Sequence, residues 1–593
     1  MFSERHGKMR TSLLLTVLML LMTQVGYLDV LNTWSEGDHT LDATSTAFES
    51  SSASSHSNFT ASVEGAELLV GQAMTNITFQ YNPNPTSDVT SSTSFAYANN
   101  KVAAGLAHTC AILDNGDLKC WGRDDYGELG DGGTASTSQA QFSPVSIDLG
   151  TGRTALAVSA GYEHTCVILD NGELKCWGRD SSGQVGDGGT NDVAVHSPAS
   201  VDLGTGRTAV AVSAGGWFTC AILDNGELKC WGNDLNGQLG NGAATSNVLA
   251  PPSTPIDLGT GRTAVAVSAG REHACVILDN GDLKCWGDDA YGQLGDGGSN
   301  TDIAAPSSTA IDLGTGRTAV AVDAGGQYTC AILDNGDAKC WGRDSSGQLG
   351  DGGSSTTTTA PSSTAIDLGT GRTAVTISDG STHACAILDN GELKCWGRDN
   401  YGQLGDDMSS ADQVSPVSVD FGTGRTAVAI SADYYRTCAI LDNGDLKCWG
   451  RGDYGNLGIG TSNDQYTPPS TPIDLGTGRT AVAVSGGFMH VCAILDNGDV
   501  KCWGQNNAGQ LGIGNSINSA TPLSTPIDLG SGRTALAVSA GSYHACAILD
   551  NGDLKCWGSD NYGMLGDGGI TAHTNAPSST AIDLGTGRTA VAV

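Results

Sequence analysis

From about residue 101 onward, apolar and polar positions recur in one fixed order. TAVAV alternates small and β-branched residues and reads as a strand. SAG and a pair of residues that differs between copies follow. HTCAIL, the turn DNG and LKCWG come next, and then a tract around GQLGDGG. First cysteines stand at 110, 166, 220, 275, 330, 385, 438, 492 and 546, always 53 to 56 residues apart. A period of that size indicates a propeller or a solenoid, in which each repeat is one supersecondary unit. Three or four short β runs fit into each repeat, and no stretch keeps a helical period.

CAILDNGELKCWG, Cys385 to Gly397, shows how one repeat is built. Asp389 and Asn390 suit a type I turn, and Gly391 suits the left-handed position after it. Together they predict a three-residue hairpin with a G1 bulge. Counting outward, Leu388 faces Glu392, Ile387 faces Leu393, Ala386 faces Lys394 and Cys385 faces Cys395. The cysteines then occupy a non-hydrogen-bonded pair, where side chains approach most closely. All 18 cysteines fall into such pairs: Cys110–Cys120, Cys166–Cys176, Cys220–Cys230, Cys275–Cys285, Cys330–Cys340, Cys385–Cys395, Cys438–Cys448, Cys492–Cys502 and Cys546–Cys556. Two cysteines without further ligands make a poor zinc site, so nine local disulfides are expected. The tryptophan after each second cysteine, Trp177 for example, is expected in the core.

The N-terminus changes the picture. Arg5, His6, Lys8 and Arg10 precede the apolar run Leu13 to Met22. Residues 1–26 therefore read as a signal peptide or membrane anchor. Residues 27–100 form a Ser/Thr-rich linker without cysteine, in which Ala66 to Pro83 suggests partial immunoglobulin-like strands. Asn58 and Asn76 lie in N-x-T sequons. Export fits the cysteine pairing and predicts a secreted or cell-surface protein. The chain has 593 residues and a formal net charge of −34. That charge repels phosphate backbones and excludes nucleic acid as a partner. Membrane contact is expected only through the N-terminal segment.

The pattern H-T-x-A-[IL]-x-x-x-G-x-[LV]-x-x-W-G followed by G-Q-L-G resembles the regulator of chromosome condensation repeat. His164 to Gly178 with Gly183 to Gly186 shows it, and so does His544 to Gly558. The resemblance covers about 490 residues, taken as 101–593. It implies an all-β fold, a β-propeller of about nine four-stranded units. The family's namesake is a seven-bladed nuclear exchange factor. Here nine units, an export signal and paired cysteines depart from it, and no β-wedge interrupts the period, so exchange activity is not carried over. Exported relatives, a β-lactamase inhibitor among them, bind proteins through one propeller face. The first unit opens on NNKVAAG, without the TAVAV strand, and the chain ends at Thr586 to Val593 within a unit. Either that last strand completes the first unit or the array continues further.

In an up-and-down unit, the loops joining strands one to two and three to four share a face. The variable pair and the variable tract occupy those loops. The turns DNG and GRT, nearly unchanged across copies, occupy the other face. Diversity on one rigid face marks a binding surface. The candidate binding residues are Tyr162, Glu163, Trp217, Arg271, Glu272, Gln327, Tyr434, Tyr435, Phe488, Met489 and Tyr543. Many are side chains that anchor interfaces. His108, His164, His273, His383, His490 and His544 precede first cysteines, but Phe218, Tyr328 and Arg436 replace them elsewhere. A metal ring would not accept phenylalanine, so the histidines are read as packing or loop-bonding groups. No cofactor is expected. The acids of LDNGD and GDGG keep calcium open, although DNG lacks a spaced ligand series.

No nucleophile, zinc or phosphate-loop motif occurs. Glu163, Arg271 and Glu272 are singular, with no evident partner. The chain is expected to bind an extracellular protein or glycan without catalysis, as an adhesin or inhibitor does. The alternatives are a polysaccharide-acting enzyme using singular acids and a passive surface-layer component.

Overall fold

A computed structural model describes residues 102–582 apart from short breaks, the longest being 134–140 and 566–572, together with Ala61, Ser62, Gly65 and Ala66. The expected signal segment, the immunoglobulin-like strands beyond Ala66 and the last strand, Thr586 to Val593, lie outside these residues. Two compact units are distinguished. The smaller contains the hairpin Ala61–Ser62 with Gly65–Ala66, and the larger contains the repeats.

The repeats fold as nine antiparallel sheets, one per unit, in chain order. Unit 2 shows the pattern. Its strands are Ala155–Ala160, His164–Leu169 and Leu174–Gly178. A fourth segment follows, joined to the third strand by the bridges Gly178 to Val193 and Lys175 to Ser200. Units 1, 5, 6 and 9 form a regular fourth strand, as at Gln413–Ser418 in unit 6. The first strand is less regular than TAVAV suggests. A bulge after its first residue pairs Ala155 with Leu169 but Ala157 with Ile168, and leaves Leu156 exposed. Unit 1 corrects the reading of NNKVAAG, because Val102–Ala104 forms a short first strand against His108–Ile112 in the register of the other units.

The hairpin has the expected register. Ile387 pairs with Leu393, Ala386 with Lys394 and Cys385 with Cys395. The Leu388 N–H donates to the Glu392 carbonyl, and Gly391 has φ +79°. All nine disulfides form as expected, with Cα separations of 4.0–4.1 Å.

The core lies between units rather than inside them. Ile168, Leu174 and Leu203 of unit 2 pack against Val212, Ala221 and Trp231 of unit 3. The tryptophans of units 2 to 9 are buried, whereas Trp121 of unit 1 is partly exposed, and burying one contributes about 4–6 kcal/mol. Its indole N–H still needs an acceptor. Trp231 Nε1 donates to the Gln184 carbonyl of the preceding unit at 3.1 Å, and Trp396 reaches the Gln348 carbonyl in the same way. The glutamine of GQLG thus supplies the node between units.

The two sets of loops separate as expected. On one face, Arg153 pairs with Asp170 of the DNG turn at 3.3 Å, and the Thr154 N–H donates to Asp170 Oδ1. Seven further units repeat that ion pair, from Arg207–Asp224 to Arg533–Asp550. GRT and DNG are constant because each requires the other. On the opposite face, the residue after Trp-Gly donates its N–H to the second residue of the variable pair. Arg179 to Glu163, Asn233 to Trp217 and Arg451 to Tyr435 are examples. Among the described residues no helix is long and apolar enough to cross a membrane.

Candidate functional site: the variable face

The variable pair of one unit lies against the variable tract of the unit before it. In units 1 and 2 this juxtaposition is ionic. Glu163 accepts from Arg123 at 3.2 Å and from Arg179, and both guanidinium groups lie over the Tyr126 ring, at 5.3 and 4.7 Å. The reading that nothing pairs Glu163 is corrected: its side chain is buried and held between two arginines. A carboxylate so engaged is poorly placed to act as acid or base. Beside it, Tyr162 meets Trp217 edge to face at 5.4 Å.

In units 6 to 9 the same loops carry rings against rings. Tyr401 meets Tyr435 at 5.1 Å, Tyr435 meets Tyr434 at 4.6 Å, Tyr434 meets Phe488 at 4.8 Å, and Phe488 meets Tyr543 at 6.0 Å. Five rings therefore form one row across four units. Arg451 lies over Tyr401 and Tyr435. Tyr434 and Tyr543 remain exposed at 42% and 40%. Met489 does not join them. It is buried, its sulfur 4.0 Å from Asn456 Nδ2, and its place on the surface is corrected.

The remaining candidates are dispersed. Arg271 is exposed and 3.7 Å from Glu272. Gln327 accepts from Arg343 at 2.6 Å. The first turns of units 1 to 5 enclose a depression of about 410 Å³, lined by glycine and alanine backbone with Tyr162 and Arg271 as its large side chains.

The histidines link units. His164 Nε2 lies 2.9 Å from Thr219 Oγ1, whose own proton goes to the Gln184 carbonyl at 2.8 Å. The threonine must therefore accept, and the neutral imidazole carries its proton on Nε2. Burial lowers the affinity of these rings for a second proton, to about 3 for His164 and about 4 for His108, His273 and His383.

Sequence reasoning missed two features. Tyr401 and Tyr126 occupy the same tract position, and that recurrence, seen also at Tyr291 and Tyr454, was the available signal. In unit 7, Asp433 replaces the glycine of SAG and Arg436 replaces the histidine. Arg436 is buried, 2.8 Å from Asp433, and donates to the His490 carbonyl at 2.6 Å. Two complementary departures in one unit were the signal there.

Rigid repeated sheets that present divergent loops on one side define a repeat β-propeller. The chain belongs to the RCC1-like domain family, which it matches over residues 73–432 and 254–593. It is 31% identical over 369 residues to the ultraviolet-B receptor UVR8 of Arabidopsis thaliana, covering 62% of this chain and 80% of that protein. It is 30% identical over 358 residues to the E3 ubiquitin-protein ligase HERC2 of Homo sapiens, covering 60% of this chain and 7% of the ligase. The crystal structure of Kap60 bound to yeast RCC1 (Prp20) aligns at 18% identity with a TM-score of 0.42, covering 69% of this chain and 94% of that one.

Proposed function

We propose that this protein is an exported or cell-surface binding protein that holds an extracellular protein or glycan on its variable face, without catalysis. The row of five rings from Tyr401 to Tyr543 carries this reading. Tyrosine and phenylalanine supply large contact area at low conformational cost, and Tyr hydroxyls suit a polar partner as well as an apolar one. The nine disulfides favour an oxidising compartment.

The test is a screen of the purified, oxidised array against glycans and extracellular proteins. Tyr434→Ala with Phe488→Ala should weaken a captured partner by tenfold or more, at about 1.4 kcal/mol per decade. Arg425→Ala on the opposite face should leave binding intact. Equal loss with both variants, or turnover of a glycan, overturns the reading.

A further inference from the structure

The tract after Trp-Gly contains a pair of positions that vary together. In units 1, 2, 4, 5, 6 and 9 both are aspartate: 124 and 131, 180 and 187, 289 and 296, 344 and 351, 399 and 406, 560 and 567. In unit 3 they are Asp234 and Asn241, in unit 7 Gly452 and Ile459, and in unit 8 Asn506 and Ile513. The second acid occurs only where the first is an acid. Acids placed for solubility alone would show no such dependence.

The geometry explains the coupling. Asp180 Oδ1 accepts the Val185 N–H at 2.8 Å, which shapes the loop. Asp180 Oδ2 is buried with no donor. Asp289 Oδ2 and Asp399 Oδ2 are placed alike. In unit 1, a carbon at the Gly133 Cβ position would lie 3.1 Å from Asp131 Oδ1 and 3.7 Å from Asp124 Oδ2, so the two carboxylates converge.

Units 3 and 8 show what belongs at that point. In unit 3, Asn241 Nδ2 donates to Asp234 Oδ2 at 2.9 Å. In unit 8, Asn506 Nδ2 donates to the Asn515 carbonyl at 2.7 Å and to the Ile517 carbonyl at 3.1 Å. The unit 2 loop has the same length and keeps the same bond, Asp180 N–H to Asp192 Oδ1 matching Asn506 N–H to Asn518 Oδ1 in unit 8. The corresponding carbonyls in unit 2 are those of Gly189 and Asn191. With aspartate in place of asparagine, that donor becomes another acceptor.

We propose that units 1, 2, 4, 5 and 6 each bind a calcium ion between their paired aspartates, where an amide N–H stands in units 3 and 8. The ligands in unit 2 are the carboxylates of Asp180 and Asp187 with the carbonyls of Gly189 and Asn191. An all-oxygen set of carboxylates and carbonyls suits calcium. Among the described residues no three acid, histidine or cysteine side chains converge on one point, so backbone oxygens and solvent complete the shell.

Equilibrium dialysis of the whole oxidised protein with calcium alone tests this. A stoichiometry of at least five and a raised Tm are expected. Asp180→Asn with Asp187→Ile, which copies unit 8, should fold and bind one ion fewer, whereas Asp389→Asn in a DNG turn should bind as many as wild type. No binding at millimolar calcium, leaving a shared proton between the carboxyls, overturns the proposal. Undiminished binding by the unit 2 double variant also overturns it.

Discussion

Units 1 and 2 and units 6 to 9 use the same loops of the same face in different ways. In the first region, a tyrosine lies beneath two arginines that are themselves neutralised by Glu163. Its polar groups satisfy one another and leave little to offer a partner. In the second, rings touch at their edges and keep exposed surface, and the arginine above them, Arg451, pairs with Asp453 at 2.6 Å rather than with a buried glutamate. Charge density alone does not make a binding surface; side chains that remain unsatisfied in the free protein do. The surroundings of the charges differ too. Glu163 is held between partly exposed arginines, whereas Asp433 pairs with Arg436, which is buried.

The largest effect should strike both regions alike. Reducing the nine disulfides removes about 2–3 kcal/mol for each ten-residue closure, less whatever restraint the hairpin already provides. Thermal melts with and without reductant should show a collapse of the array. A reductant-insensitive Tm would show that the hairpins need no staple.

Acid comes next. An unfolded histidine binds its proton near 6.5, but burial holds His164 neutral to about 3 and His108 and His273 to about 4. Between those values the unfolded chain binds more protons, so stability falls as pH falls below 6.5. Each histidine loses about 1.4 kcal/mol per pH unit. Hydrogen exchange from pH 7 to 4.5 should open units 1 and 2. Changing His164→Phe with Thr219→Ala, which copies the Phe218–Ala274 pair, should blunt that response.

Arg436→Met should cost about 3–5 kcal/mol by leaving Asp433 buried without its partner. Asp433→Gly with Arg436→His, which restores the common pattern, should recover most of it. Equal Tm values for the single and double variants would mean that the pair is not coupled. Phe488→Ala splits the aromatic row and should cost about 1–3 kcal/mol, since each ring pair adds about 0.5–1.5. Near-ultraviolet circular dichroism should report the loss. Glu163→Gln should be smallest, on the order of 1 kcal/mol and weaker in high salt.

Much of this was legible in the chain. The DNG turn dictates the hairpin register, and register with alternation dictates the cysteine pairing, because both depend on neighbours a few residues apart. Cys385 opposite Cys395 needed no tertiary information. The division of loops between two faces followed from strand order. Met489 and Phe488 could not be told apart by type, yet one is buried and the other joins the row. Glu163 appeared isolated because Arg123, one of its partners, lies 40 residues away in the preceding unit.

The alternation, the turns and the cysteine spacing by themselves determined the repeat, its sheets and its disulfides, since these are local choices of backbone and register. Which rings meet across units and which acids are clamped were decided only when units stacked. Those contacts join residues of neighbouring units, far apart along the chain, and their partners are set by how neighbouring sheets pack.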